Sequence, residues 1–272
     1  MTSPYAEVIG DPIAQSKSPA IHSFWLERLG LSGRYGRCHV TQGDLSRYLH
    51  ERRSDAAWRG CNVTMPHKQE VMPLLDSVDS VAKRIGAVNT VVRTSDGALT
   101  GYNTDAPGFL EPLGGRRFET VTLIGAGGAA RAVLAALADA GTAWVSIQNR
   151  SLDKAEALLS EFGLKGSAVP LGASVPQADL LVNTSALGMT GQPALPPLLN
   201  HVAADGVVYD IVTSPLHTVL LQDAAERGLT VVDGLAMLIG QADHAFARFF
   251  GMRPPRHEDA ELRRRILGGS GV

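Results

Sequence analysis

Cysteine is scarce in this chain. Its 272 residues hold only Cys38 and Cys61, too few for a disulfide framework, and each sits in a strand-like stretch where a reduced core thiol is the expected state. Charge of one sign is lacking too. The 25 Lys and Arg nearly balance 27 Asp and Glu, for a formal charge of −2, and a general nucleic-acid binder would need a strongly basic face. No apolar run approaches the roughly 18 uncharged residues of a membrane span, and "MTSPYAEVIG" has neither the basic segment nor the apolar stretch of a signal peptide. The eight histidines are scattered without HExxH spacing and the cysteines form no CxxC, so no metal site is expected. No internal repeat or low-complexity segment is present. These absences point to a cytoplasmic protein with no nucleic-acid or membrane partner.

What the chain does have is core material: 44% hydrophobic and 19% charged residues, enough for one or two globular domains. Strand-like and helix-like stretches alternate, which favours a parallel α/β architecture. "YAEVIG" reads as a strand. "SPAIHSFWLERLG" reads as a helix with Ser18 as its cap, Pro19 in its first turn and Gly30 as its stop. "RYGRCHV", "DLSRYLHERR" and "CNVT" continue the pattern, and "AVNTVVR" with "ALTGYN" flank an "SDG" hairpin turn. In "GCNVTMPHK" the alternation of Cys61, Val63 and Met65 with Asn62 and Thr64 reads as a half-buried strand, with Pro66 opening a helix. That places Thr64, His67 and Lys68 at a strand exit, where sites on open sheets form. The pattern restarts with new chemistry between residues 105 and 120. "LAMLIGQADHAFARFFG" reads as a long helix, apolar on most of its face and buried against a neighbour, and the tail "GGSGV" as a frayed end.

"VTLIGAGGAARA" carries Gly125, Gly127 and Ala130 in GxGxxA spacing between a strand and a helix. Gly125 permits the tight turn, Gly127 lets a pyrophosphate approach the backbone, and Ala130 allows close helix–strand packing. Free amides at the helix start then face the phosphates. An NAD site has an acidic residue at the end of the next strand, but "AWVSIQNR" ends in Asn149 and Arg150, with Lys154 a turn later. Arg150 can clamp a 2′-phosphate that a carboxylate would repel, so NADP is favoured over NAD.

Polar residues gather around the strand ends of the first half. Ser16, Lys17 and Ser18 lie in "VIGDPIAQSKSPAIH", Thr64 and Lys68 in "NVTMPHK", Asn89 in "GAVNTV" and Asp105 in "GYNTDAPG". Singly, each has an ordinary structural explanation: Ser18 a helix cap, Asn89 a polar strand end, Asp105 a cap for "APGFLEPL". Together with "GAGGAARA", "NRS", "VNTSALGM" and "DGLAMLIGQADHAF", and in this order over about residues 5 to 250, they resemble the shikimate dehydrogenase family.

The resemblance implies an α/β substrate domain (residues 1–105, completed by C-terminal helices within 236–272) and a Rossmann-type dinucleotide domain (106–235), with the active site in the cleft between them. It implies reversible, NADPH-dependent reduction of 3-dehydroshikimate to shikimate, in aromatic amino acid biosynthesis. In the matching positions Lys68 and Asp105 look like the catalytic pair and Ser16 and Ser18 like carboxylate anchors. Thr64, Asn89, Asp105 and Gln241 look like readers of the ring hydroxyls. The cofactor contacts it implies are Gly125, Ala126, Gly127, Gly128, Ala129, Ala130, Asn149, Arg150, Ser151, Lys154, Thr184, Ile211, Gly234 and Met237. His244 and Phe246 read as packing. Thr213 stands where the family often has a tyrosine near the substrate carboxylate, and Ala106 and Pro107 follow Asp105 where glycine is common. The Thr213 hydroxyl is shorter, so a water bridge or a looser carboxylate site follows. Two rivals stay open: a quinate/shikimate dehydrogenase of broader cofactor use, and a catalytically silent sensor of dinucleotide and ring acid. Monomer and homodimer both fit.

Overall fold

A computed structural model describes residues 3–268, so the tail beyond Gly268 lies outside the described residues. The chain divides into two units. One runs to Thr104 and resumes at Ile239; the other is Asp105–Leu238.

The first unit contains β1 (Tyr5–Gly10), α1 (Ser18–Arg28), β2 (Arg34–His39), α2 (Leu45–Arg53), β3 (Trp58–Val63), β4 (Ser77–Val78), α3 (Ser80–Ile85), β5 (Thr90–Arg93) and β6 (Leu99–Tyr102). They form a six-stranded sheet in the order β2-β1-β3-β5-β6-β4. The first three strands are parallel, and β5 and β6 form an antiparallel hairpin added to β3. The chain leaves β1 toward β2 on one side and returns with β3 on the other. That reversal is a topological switch point, where the loops after the two strands part and leave room for a ligand.

The second unit contains α4 (Asp105–Leu110), β7 (Thr120–Ile124), α5 (Gly128–Ala140), β8 (Trp144–Gln148), α6 (Leu152–Glu161), β9 (Gly166–Val169), β10 (Ala178–Asn183), β11 (Val202–Asp210), α7 (Val219–Glu226) and β12 (Thr230–Asp233). Its sheet runs β12-β11-β10-β7-β8-β9, with every pair parallel. Read from the other edge this is the 3-2-1-4-5-6 order of a doubly wound dinucleotide fold, with its switch point between β7 and β10. The helix α8 (Gly234–Phe250) crosses from one unit's sequence to the other's, and α9 (Asp259–Gly268) follows.

Three local expectations are corrected. Ser18 is the first helical residue rather than the cap of α1: Lys17 holds the cap position and no side chain caps the helix. The Ser16 hydroxyl instead accepts from the Ser18 N–H at 3.4 Å. Second, β3 does not alternate. Gly60 to Val63 are all buried while Met65, beyond the strand, is 54% exposed, because β3 lies between β1 and β5 inside the sheet. Third, no helix follows Pro66. Residues 65–71 form consecutive turns that end in a short 3-10 turn, Met72–Leu74. Pro73 lacks an N–H to donate back to the Gln69 carbonyl, so a helix started at Pro66 could not run on through it. Both cysteines are free, and burial pushes the Cys61 thiol well above its ordinary pKa.

Candidate active site

In the first unit the loops after β1 and β3 are laced together by their backbones. The Asp11 N–H donates to the Met65 carbonyl at 2.9 Å and the Thr64 N–H to the Ile9 carbonyl at 3.0 Å. Gly10 makes this approach possible, since a Cβ there would fall 2.4 Å from Thr64 Cγ2 and 2.8 Å from the Met65 oxygen. The loop carrying Lys68 is tied down again where its carbonyl accepts from the Val88 N–H at 2.7 Å. The turn carrying Ser16 is held from outside: the Arg37 guanidinium donates to the Ser16 carbonyl from Nε at 3.0 Å and Nη2 at 2.5 Å. Ser16, Thr64 and Lys68 are half-buried and Ser18 is buried. His67 does not join them. Its side chain is fully buried, with Nε2 2.7 Å from the Val40 carbonyl, so it anchors the loop from beneath.

Asn89, just ahead of β5, belongs to a buried polar network. Its Oδ1 accepts from the Thr104 N–H at 2.8 Å and the Thr90 hydroxyl at 3.0 Å, and its Nδ2 donates to Thr104 Oγ1 at 2.9 Å. Gln241 Oε1 accepts from Thr104 Oγ1 at 3.3 Å and from Asn89 Nδ2 at 3.5 Å. On the far side Thr90 Oγ1 accepts from Asn62 Nδ2 at 3.0 Å, and Asn62 Oδ1 accepts from the Tyr35 hydroxyl at 2.6 Å. Five more members thus surround the expected Asn89: Tyr35, Asn62, Thr90, Thr104 and Gln241, of which only Gln241 is expected from the sequence. Thr104 had a signal, its place beside Asp105 in "GYNTDAPG". Tyr35 had none. The network fixes which face of the Asn89 amide donates. Substituting Asn62→Leu leaves the Tyr35 and Thr90 hydroxyls short of partners and should cost about 2 kcal/mol. A urea melt measures that loss, and an unchanged midpoint would show that the network relaxes without it. Asp105, the first residue of α4, is buried.

The second unit has its own constellation at the β7/β10 switch point. Gly125 follows β7 with φ +101°, and a Cβ there would sit 3.0 Å from Thr184 Oγ1 and 3.3 Å from the Ser185 nitrogen. Only glycine accommodates both the angle and the approach. The Thr184 hydroxyl donates to the Ile124 carbonyl at 2.6 Å, so its proton is committed to holding the two loops together. Gly127 caps α5 and is exposed, with nothing within 4 Å of where its Cβ would stand and no side chain capping the helix. That cradle of unoccluded first-turn amides fits a dinucleotide pyrophosphate. Ala126, Gly128 and Ala129 are half-buried around it and Ala130 is fully buried.

Just past β8, Asn149 is half-buried and donates from Nδ2 to the Ser151 carbonyl at 2.8 Å, while Arg150 and Lys154 are exposed. At the end of β10, Asn183 accepts from the Ser185 N–H and hydroxyl and donates to Asp210 Oδ1 at 2.9 Å. Burial lifts the Asp210 carboxyl above its ordinary pKa even though Thr218, the Val212 N–H and Asn183 all donate to it. Ile211, half-buried, is tied back by its N–H to the Asn183 carbonyl at 3.1 Å. A Cβ on Gly234 would lie 2.4 Å from the Ile211 and Val212 carbonyl oxygens, so this glycine lets α8 start against that loop. Met237 is buried, and Thr213 is half-buried just ahead of Ser214 and Pro215.

Among the described residues no group of three or more His, Cys, Asp or Glu could hold a metal ion, and no helix is long and apolar enough to cross a membrane.

Residues 8–91 match the family described as shikimate dehydrogenase substrate binding domain, and residues 113–186 match shikimate / quinate 5-dehydrogenase. Shikimate dehydrogenase (NADP(+)) of Sphingopyxis alaskensis is 57% identical over 263 residues, 96% of each chain. The crystal structure of shikimate 5-dehydrogenase from Thermus thermophilus in complex with NADP(H) and shikimate is 42% identical, with a TM-score of 0.86 over 97% of this chain and 100% of that one. Quinate dehydrogenase from Corynebacterium glutamicum in complex with NAD is 31% identical, also with a TM-score of 0.86, over 98% of this chain and 99% of that one.

Proposed function

We propose, from the premise that this chain belongs to the shikimate dehydrogenase family, that it catalyses the reversible NADPH-dependent reduction of 3-dehydroshikimate to shikimate. The observation that carries this reading is the juxtaposition of the Ser16–Ser18 turn after β1 with the Thr64–Lys68 loop after β3, laced at Gly10. Reducing a ketone puts negative charge on its oxygen. Lys68 meets that charge with an ammonium group, then gives up a proton to the forming hydroxyl. In the oxidative direction the neutral amine takes the hydroxyl proton. Asp105 orients Lys68 and accepts from a neighbouring ring hydroxyl. Ser16 and Ser18 hold the substrate carboxylate, and Thr64, Asn89 and Gln241 read the ring hydroxyls. Thr213 adds a short hydroxyl at the carboxylate end.

NADPH supplies the hydride when bound. The amides around Gly125–Ala130 hold its pyrophosphate, Asn149 and Ser151 its ribose, and Arg150 with Lys154 its 2′-phosphate. Thr184, Ile211, Gly234 and Met237 shape the nicotinamide end. Replacing Arg150→Ala should weaken NADP binding by about ten- to a hundredfold and leave NAD binding nearly unchanged. Titrations of both nucleotides by intrinsic fluorescence check this, and equal losses would take the clamp away from Arg150.

The likeness to a quinate dehydrogenase with NAD keeps a second reading, broader substrate and cofactor use, in play. Initial rates with shikimate and quinate, each with NADP and NAD, decide between the two. Shikimate with NADP should dominate, and comparable quinate or NAD turnover would favour the second. No turnover at all would favour the sensor. The reading places the protein in the cytoplasm, as a monomer or homodimer acting on small molecules.

A further inference from the structure

The first unit carries a concavity away from the Ser16–Lys68 loops. It is a hollow of about 360 Å³ lined by Pro4, Leu31–Gly33, Arg59, Arg93 and Arg248–Phe250. Pro4 precedes β1, Arg59 is the second residue of β3, and Arg93 ends the antiparallel β5. All three therefore stand at the sheet end opposite to Thr64 and Lys68. Along β3 the separation from Arg59 to Thr64 is about 16 Å, so a molecule here does not touch the groups assigned to the reaction.

The hollow has its origin in a bulge. Tyr5 of β1 pairs with Trp58 of β3, but the next residue, Ala6, pairs with Gly60. Arg59 is the extra residue, and its side chain is turned outward while Trp58 and Gly60 are buried. Bulges re-aim side chains in this way. Gly60 then does a second job. Its φ is +149°, and a Cβ would lie 2.1 Å from the Val91 oxygen and 2.8 Å from a Phe249 ring carbon. The bare glycine lets the end of α8 settle onto the sheet and bring Arg248, Phe249 and Phe250 to Arg59.

Three guanidinium groups face this hollow, and among the described residues none of them forms an ion pair within 4 Å, although Asp96 feels the charge of Arg93. Arg93 is held by backbone carbonyls, donating from Nε to Arg53 at 2.9 Å and from Nη1 to Thr94 at 3.2 Å. Arg248 donates from Nη1 to the His244 carbonyl at 2.8 Å and stacks 4.6 Å from the Tyr102 ring centroid. Arg59 makes no ion pair or hydrogen bond among the described residues, and no Asp or Glu lines the hollow. Two cations pre-oriented by carbonyls and a ring, with a third beside them, have donors to spare. The remaining walls are Phe249, Phe250, Leu31, Gly33 and Pro4, with Ser32 among them. The volume is that of a small-molecule site.

We propose that this hollow is a second binding site, for a small aromatic carboxylate whose anionic group meets Arg59, Arg93 and Arg248 and whose ring lies on Phe249 and Phe250. The test is calorimetric titration of the whole chain with 4-hydroxybenzoate, with inorganic phosphate and with uncharged benzyl alcohol. Wild type, Arg59→Gln, Arg248→Gln and Ser18→Ala are compared, after circular dichroism has confirmed that each is folded. The expected result is one site for 4-hydroxybenzoate, weakened at least about tenfold by R59Q and by R248Q, and retained in S18A. Loss in S18A with retention in R59Q would put the binding at the Ser16–Lys68 loops and overturn the proposal. Binding of phosphate but not of 4-hydroxybenzoate would overturn the aromatic class of ligand. No binding of either anion, or equal binding of benzyl alcohol, would remove the site.

Discussion

Lys68→Ala should lower turnover by roughly a hundred- to ten-thousand-fold, the range for losing a positioned acid–base group, while NADP affinity is kept. The separation of the two effects follows from where the residues fall in the fold. Lys68 sits in a loop after β3 of the first unit, fastened by its own carbonyl to Val88, whereas the glycine turn follows β7 in the second. Removing the ammonium group leaves those backbone ties in place, so the loss falls on the alkoxide. Arginine at this position should rescue little, because a guanidinium stays charged and cannot take the proton back in the oxidative direction. Stopped-flow reduction of 3-dehydroshikimate, paired with an equilibrium titration of NADP, measures both halves. Turnover within a few-fold of wild type would strip Lys68 of its role.

The second large effect concerns stability in acid. His22, on α1, is fully buried and lies flat on the Tyr35 ring, with centroids 3.9 Å apart and planes 3° apart; Trp25 and Phe246 also pack on it. Among the described residues neither ring nitrogen has a hydrogen-bond partner. Burial pushes the imidazole down to about 3 from its usual 6.5. Below pH 6.5 the unfolded chain therefore takes up a proton that the folded chain refuses until about pH 3. Stability that is whole above 6.5 drains away as pH falls, by about 1.4 kcal/mol per unit and about 5 kcal/mol over the window. His22→Leu should flatten that slope and be neutral or mildly stabilising at neutral pH, since it removes two unpaired nitrogens. Urea melts between about pH 7.5 and pH 4 compare the slopes, and equal slopes would place the acid sensitivity elsewhere.

The parts of this molecule that could be read in its sequence are those governed by neighbours in the chain. GxGxxA between an apolar strand and an alanine-rich helix needs about a dozen consecutive residues to be recognised, and the strand, turn and helix stand at β7, Gly125–Gly127 and α5. The "SDG" turn likewise joins β5 to β6. Contacts made across the chain left no such trace. The amide of Gln241 meets Asn89 from 152 positions away. Glu7, a charge in the middle of β1, is accommodated by Tyr48 and Arg52, 41 and 45 positions on. The short β4, the edge strands β9 and β12, and the helices α3, α7 and α9 carry too few periodic residues to stand out. His67 reads as a site residue because strand exits expose side chains, yet the Val40 carbonyl draws it inward. Lys68, one residue on, stays half-buried instead.

The first unit is discontinuous, and this sets an order of events on the ribosome. Everything needed for the six parallel strands of the second unit has been synthesised by Leu238, while the first unit still waits for Ile239 onward. Until then α1 has no Phe246 or Phe249 to cover His22 and Tyr35, and Gly60 faces no ring. The dinucleotide fold can thus close while the residues ahead of it remain an open sheet with an uncovered aromatic face. The first-made segment is the last to be sealed, so a nascent chain stalled near residue 240 presents the surface that a chaperone would recognise.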